Sequence, residues 1–441
     1  ELMQRIGELA VKAGNTAVLT ASDYKSIAAE VDTRIEELMG LQNTRNSSGQ
    51  YIFAGFQGSE APFVSNGGGN FSYVGDGGQL FLQASATMNV AVSDSGKRLF
   101  VDIPSSHNTV NTSASITNRA LPASVISVGQ VVDQEAFDEF YPEDMVIVFN
   151  APSAISPEGP NYTVTERSTG KIIVANASYN AGEEIVLNGV SFHITGSPVA
   201  PTPATLPFNF DAAAAPIDFS TNSTTLKVSV GGRSETLEFN SLPLVNNAAD
   251  FAALLNSPAN AAKLANLGLT ATAAGLQSIN GMNITLQGGN AALQSAMGLA
   301  TTAGVTSTNG KTGDSFTIAS TNKQGLLTTL ARFSDAMKSV KDTHESKAIL
   351  SDLVAKTISN ISLAEDKISG IQGELGARQN TLESSRNLNL DVKLYIDSEL
   401  KSLQDLDYAE ATIRLSMETL VLNASQQSFA KVSQLTLFNY L

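Results

Sequence analysis

The stretch LQNTRNSSGQYIFAGF, residues 41–56, is where one periodicity gives way to another. Upstream of it, Ile27, Val31, Ile35, Leu38 and Leu41 recur at steps of three or four residues, the spacing of an amphipathic helix. Asn46-Ser47-Ser48-Gly49 is a polar stop that ends on glycine, so the helix is expected to run to about Arg45. From Tyr51 the step becomes two. YIFAGF (51–56), NFSYV (70–74) and QLFLQAS (79–85) read as short strands between glycine-rich turns, Gly67-Gly68-Gly69 being a flexible one. Toward the N-terminus the helical pattern breaks near Leu19-Thr20-Ala21, and Ser22 or Asp23 can cap the segment that follows.

Between about 105 and 320 the sequence is strand-like. MVIVFN (145–150), NYTVTE (161–166), KIIVAN (171–176), EEIVLN (183–188) and VSFHIT (190–195) alternate or run apolar between turn residues. Asn188-Gly189 is the dipeptide favoured in type I′ hairpins. The Pro- and Ala-rich run at 197–217 reads as a linker. Beyond it, TLKVSVGGRSETLEF (225–239), NNAADFAALLNS (246–257) and LGLTATAAGLQSINGMNITLQG (267–288) suggest a ββαββ unit of low charge. KTGDSFTIAS (311–320) then resumes the earlier strand style. The expected division is a helical core with hairpins (1–104), a β-rich middle domain (105–204, completed by 311–321), an inserted outer domain (205–310) and C-terminal helices (322–441).

From Asn322 the chain reads as continuous helix without a proline. Ile358, Ile361, Ile368, Ile371, Leu375 and Leu382 form one coiled-coil-like seam, and Leu406, Ala409, Ile413, Met417, Leu420 and Ala424 a second. Such seams must be buried, so the two ends of the chain are expected to pack together. The fold class is α+β, multidomain, with β-rich domains inserted between helices.

Composition narrows the function. The 441 residues hold 27 basic and 42 acidic side chains, a net charge of −15, which argues against a nucleic-acid or anionic-membrane partner. With no cysteine, disulfide, thiolate-metal and thiol chemistry are excluded. The opening ELMQRIGELAVKAGN has no basic n-region of a signal peptide, and no run approaches the roughly 20 apolar residues of a membrane span. His107, His193 and His344 are far apart, in a loop, a strand and a helix, and do not form a metal-ligand pattern. Asp133, Glu135, Asp138, Glu139, Glu143 and Asp144 lack calcium-loop spacing and read as a solvated acidic rim. No nucleophile elbow or phosphate loop occurs, so neither a catalytic residue nor a cofactor or metal site is expected.

Two groups of motifs then stand out. Asn46-Ser47-Ser48-Gly49-Gln50-Tyr51-Ile52-Phe53-Ala54-Gly55-Phe56, Ala61-Pro62-Phe63 and Tyr73-Val74-Gly75-Asp76 resemble the flagellar hook-associated protein 3 family, the hook–filament junction proteins. Leu375-Gly376-Ala377-Arg378, Ala424 through Ala430 and Leu437-Phe438-Asn439-Tyr440-Leu441 resemble the same family. The resemblance covers about 1–103 and 322–441, with Tyr51, Ile52, Phe53, Ala54 and Gly55 as the family motif. It implies a flagellin-like helical bundle and further helix upstream of Glu1. It also implies a non-enzymatic extracellular adaptor that self-assembles as a ring. The implied partners are hook-associated protein 1, flagellin, the flagellar type III export apparatus and an export chaperone. The residues expected to carry assembly are Leu406, Ile413, Met417, Leu420, Phe429, Leu437 and Phe438. Rival readings are a filament flagellin with large outer domains, or a secreted adhesin or carbohydrate-acting protein.

Overall fold

Thr20 sets the start of the long N-terminal helix. Helix α1, Leu2–Ala13, precedes it and buries Ile6, Leu9, Ala10 and Ala13. Helix α2, Ala21–Gln42, is capped by Thr20 rather than by Ser22 or Asp23. The Thr20 N–H donates to the Asp23 carboxylate at 2.9 Å and the Asp23 N–H to the Thr20 hydroxyl at 3.4 Å, which satisfies two otherwise orphaned donors. The Thr20 N–H, followed by its hydroxyl, holds the Asp23 carboxyl below its usual range. The helix stops at Gln42, short of Arg45, because Asn43 turns its amide onto the backbone of Phe63, donating at 2.9 Å and accepting at 3.0 Å.

The computed structural model describes all residues except 1, 16, 86–87, 209–215, 222, 241–243, 298–303, 406 and 435–441. It divides into two compact units, one of Glu1–Leu80 with Ser93–Ile371 and one of Phe81–Val92 with Gln372–Leu441. In the first, strand Phe63–Gly67 pairs with Asn70–Tyr73. Residues 51–56 are not a strand: Tyr51 bridges Arg45 and the rest is turn. Gly67, Gly68 and Gly69 all have positive φ, and a Cβ on Gly68 would stand 2.6 Å from the Ile126 carbonyl oxygen. That turn is seated against Val125, Ile126 and Val128, where the sequence suggested mere flexibility.

The middle sheet has the order Ile172–Ser178, Asn161–Glu166, Met145–Phe149, Ser315–Lys323, Pro104–Ala114. The late strand 315–323 thus lies between strands that precede it by more than 150 residues. A second sheet holds Glu184–Leu187, Val190–Thr195 and Val125–Ile126, and the turn at Asn188-Gly189 has φ of 46° and 76°, as type I′ requires. Val110, Ile147, Phe149, Phe192 and Phe316 share its core. Helix α3, Gln134–Phe140, forms on the acidic stretch, capped by Asp133 and anchored by buried Phe137. His107 lies in the strand Pro104–Ala114, not in a loop.

Residues 204–306 make sheets of their own. Ala204–Pro207, Gly275–Ser278 and Leu269–Thr272 form one. Arg233–Phe239, Thr224–Val230, Ile284–Gly288 and Val305–Thr306 form the other. Helices α4, Ala248–Leu255, α5, Pro258–Asn266, and α6, Ala291–Met297, accompany them. Among the described residues, the buried core of these sheets runs from Leu206 to Leu293 and includes Phe219, Phe239, Phe251 and Leu286. The presumed linker at 197–217 supplies a strand, 204–207, and Ile217, which bridges Val245.

The C-terminal helix is interrupted rather than continuous: α7, Leu326–Ser339, α8, His344–Gln404, and α9, Tyr408–Gln434. Residues from α1, α2 and α7 join Leu350, Val354, Ile361 and Ala364 of α8 in one core, so segments from both ends do pack together. The buried stripe of α8 runs through Leu350, Val354, Thr357, Ile361 and Ala364. Ile371 is also buried, but Ile358 and Leu375 of the expected seam are exposed. Arg332 ties α7 to the strand Pro104–Ala114 and to Gly129. Its guanidinium is buried and bonds the carbonyls of Gly129 (2.8 Å) and Val110, the Gln324 amide oxygen (2.7 Å) and the Thr109 hydroxyl. Burial pushes it down to about 10, so it stays charged at neutral pH.

Candidate assembly surface

The motif 51–55 is a loop pinned by the other quoted motif, 73–76. Phe53 packs edge-on against Phe100 at 5.2 Å, and its carbonyl accepts the Gly96 N–H and the Tyr73 hydroxyl, each at 2.8 Å. Ala54 is buried, and its carbonyl accepts the Asp76 N–H at 3.1 Å. Gly55 has φ +71°, and a Cβ there would lie 2.0 Å from Asp76 Oδ1, so glycine is required. Arg45 sits 4.3 Å above the Tyr51 ring. Ile52 and Phe56 remain exposed. Phe53, Ala54 and Gly55 therefore hold the loop in place.

The second unit is different in kind. The hairpin Phe81–Ser85 with Met88–Ala91 is joined to α8 by Ser385 and Asn389, which donate to the Ala84 carbonyl at 3.1 and 3.2 Å. Helix α9 has no buried residue among those described. Ile413, Met417, Leu420 and Phe429 are 66, 64, 67 and 74% exposed, where a soluble helix would cover one apolar face. Leu406, Leu437 and Phe438 lie outside the described residues.

A second stripe on α9 shares only Phe429 with the expected residues. Tyr408, Leu415, Leu422 and Phe429 follow one another at intervals of seven and are likewise exposed. At 100° per residue, Ile413 and Leu422 are about 180° apart, so α9 is apolar on two opposite faces. The heptad spacing of 408, 415, 422 and 429 is the sequence signal that could have found it.

Elsewhere the acidic residues are engaged locally. Asp133 caps α3, Asp138 accepts from Asn108 and Gln134, and Asp144 Oδ1 accepts the Ser320 N–H at 2.8 Å. The Ser168 hydroxyl, then its N–H, hold the Glu143 carboxyl below its usual range. Much of the presumed solvated rim is thus built into caps and turns. Among the described residues, no group of three or more His, Asp or Glu could hold a metal ion. A groove of about 510 Å³ is lined by Asp32, Glu36 and Asp335, but Lys338 pairs with Asp32 at 2.7 Å and Gln130 donates to Asp335 at 3.3 Å. No helix among the described residues is long and apolar enough to cross a membrane.

The chain is 33% identical over 103 residues to flagellar hook-associated protein 3 of Escherichia coli, and 31% identical over the same length to that of Salmonella typhimurium. The chain is similar to flagellar hook-associated protein 3. Each match covers 23% of this chain and 31% of the relative, so the chain spans about a third of the length of the curated relatives it matches. No family model matches the chain. Among solved structures, hook-associated protein 3 of Legionella pneumophila aligns with 20% identity and a TM-score of 0.42, covering 92% of this chain and 88% of that one. FlgL of Xanthomonas campestris aligns with 18% identity and a TM-score of 0.40, covering 91% and 89%.

Proposed function

We propose that the chain is a structural, non-catalytic adaptor of the bacterial flagellum that joins hook to filament and uses α9 as its assembly element. The observation that carries this reading is the pair of opposed apolar faces on α9. A solitary helix is marginal in water, and full burial of each such side chain is worth roughly 1.5–3 kcal/mol. Covering both faces in a ring of subunits would hold a junction together. The similarity to hook-associated protein 3 supports the location.

In this reading the ring sits outside the cell between hook-associated protein 1 and flagellin. The chain reaches it through the flagellar type III export apparatus with an export chaperone. Leu406, Leu437 and Phe438 belong to the same assembly set as Ile413, Met417, Leu420 and Phe429. Residues 1–104 and 322–441 serve as the core, 105–204 with 311–321 as the middle domain, and 205–310 as an outer unit that folds by itself. The separate core of that unit supports this division.

Complementation of a strain lacking its own junction protein tests the proposal. The full chain should restore attached filaments. A variant with Ile413→Glu and Leu422→Glu should fold normally by circular dichroism and fail to restore them. Filament attachment by that variant would overturn the role given to α9.

A further inference from the structure

We propose that Arg119 and Asp314 form a latch that fixes the outer unit rigidly to the middle domain; the idea rests on the reading of 205–310 as a unit. The chain enters that unit through 199–205 and leaves it through 309–314. At the crossing, Thr202 and Lys311 exchange backbone hydrogen bonds of 2.8 and 3.0 Å. A single antiparallel bridge would be a pliable joint. Two side chains change that.

Asp314 is buried, and its carboxylate accepts three backbone N–H groups: Arg119 at 2.7 Å, Ala120 at 3.2 Å and Val199 at 2.9 Å. The Arg119 guanidinium reaches across both crossing strands and donates to the carbonyls of Ala200 and Thr312, each at 2.9 Å. Both bonds leave one terminal nitrogen, Nη2, while Nη1 donates to the Thr202 hydroxyl at 3.4 Å, so one rigid plane holds three acceptors where a lysine ammonium would offer a single nitrogen. The segment before Ala120, the entry strand and the exit strand are thereby knitted together.

The outer unit is also pressed onto this joint. Gly281, at φ +73°, has no room for a side chain, since a Cβ would fall 1.9 Å from the Lys311 carbonyl oxygen. At Gly310 a Cβ would lie 2.4 Å from the Gly281 oxygen, and at Gly313 one would lie 2.0 Å from that of Phe149. Backbone therefore meets backbone on both sides of the crossing. A tether would instead show exposed, unbonded peptide groups. The latch makes the outer unit a fixed projection of the middle domain.

The absence of cysteine allows a direct test in the full chain. Spin labels at Ile172→Cys and Lys227→Cys, both exposed positions, report the separation of the two domains by electron–electron resonance. The latch predicts one narrow distance distribution, at least twofold broader in Arg119→Met and intermediate in Arg119→Lys. Equal widths in all three, or a broad distribution with Arg119 intact, would overturn it. Should Arg119→Met fail to fold, the Arg119→Lys comparison decides in the same way. Calorimetry of the labelled proteins separates the two ideas. Absence of a distinct outer-unit transition counts against the unit reading, whereas an unbroadened distance counts against the latch.

Discussion

The Tyr73 hydroxyl donates a 2.8 Å hydrogen bond to the carbonyl oxygen of Phe53, joining two motifs that lie 20 residues apart in the chain. The same hydroxyl lies 3.0 Å from Ser95 Oγ, which itself donates to the Asp76 carbonyl at 2.8 Å. The residues of the family motif are thus part of an internal brace.

Tyr73→Phe should cost about 1 kcal/mol by urea denaturation, the modest value expected because Phe53 keeps the Gly96 N–H and Asp76 keeps Ser95. Burial chiefly raises the Tyr73 phenol above its ordinary value of 10.0. The stabilising preference for the neutral phenol is therefore intact below pH 10 and lost as pH rises through the folded value. Tyr24, Tyr162 and Tyr179 shift in the same direction, so the variant should show a shallower, not absent, loss of stability above that pH.

Thr20→Ala should destabilise the first unit by about 1 kcal/mol, and Thr20→Ser by much less, because the hydroxyl caps α2. Asp23 has a lowered folded value, so its contribution is present above its ordinary 3.8 and fades as pH falls through the folded value. Acid titration of stability should be less steep in Thr20→Ala.

How much of this could be read beforehand depends on the range of the interactions. The helices around Ile27–Leu38, the strands at 145–195 and the Asn188-Gly189 turn follow from local spacing, and they stand as expected. The segment at 51–56 was misread because alternating aromatics imitate a strand. What decides its shape is Asp76, which presses on Gly55 and accepts the Phe56 N–H at 2.9 Å. Strand 204–207 was hidden in a Pro-rich run because its partner, 275–278, is about 70 residues away. Helix α5 begins with Pro258 and is rich in Ala and Asn, which leaves little apolar periodicity to detect. On the candidate surface, steps of three and four show the stripe through Ile413, Met417 and Leu420, whereas the opposite face, of which only Phe429 is expected, shows at heptad spacing.

Gln42 offers a stabilising substitution. It is 1% exposed at the end of α2, and neither amide atom has a hydrogen-bond partner among the described residues. An unsatisfied buried amide costs roughly 1–3 kcal/mol, so Gln42→Met, of similar length and apolar, should raise the melting temperature of the full chain.

Arg332→Met should have the opposite effect. Removing the guanidinium leaves the acceptors at Gly129, Val110 and Gln324 short of a charged donor within a buried site. A loss of roughly 3 kcal/mol is expected by denaturant titration, with Arg332→Lys recovering only part of it.

The most direct measurement is immunogold electron microscopy of flagella from a strain in which the full chain replaces the junction protein. The account predicts label confined to the boundary between hook and filament. Label distributed along the filament would contradict it and favour a filament-forming flagellin.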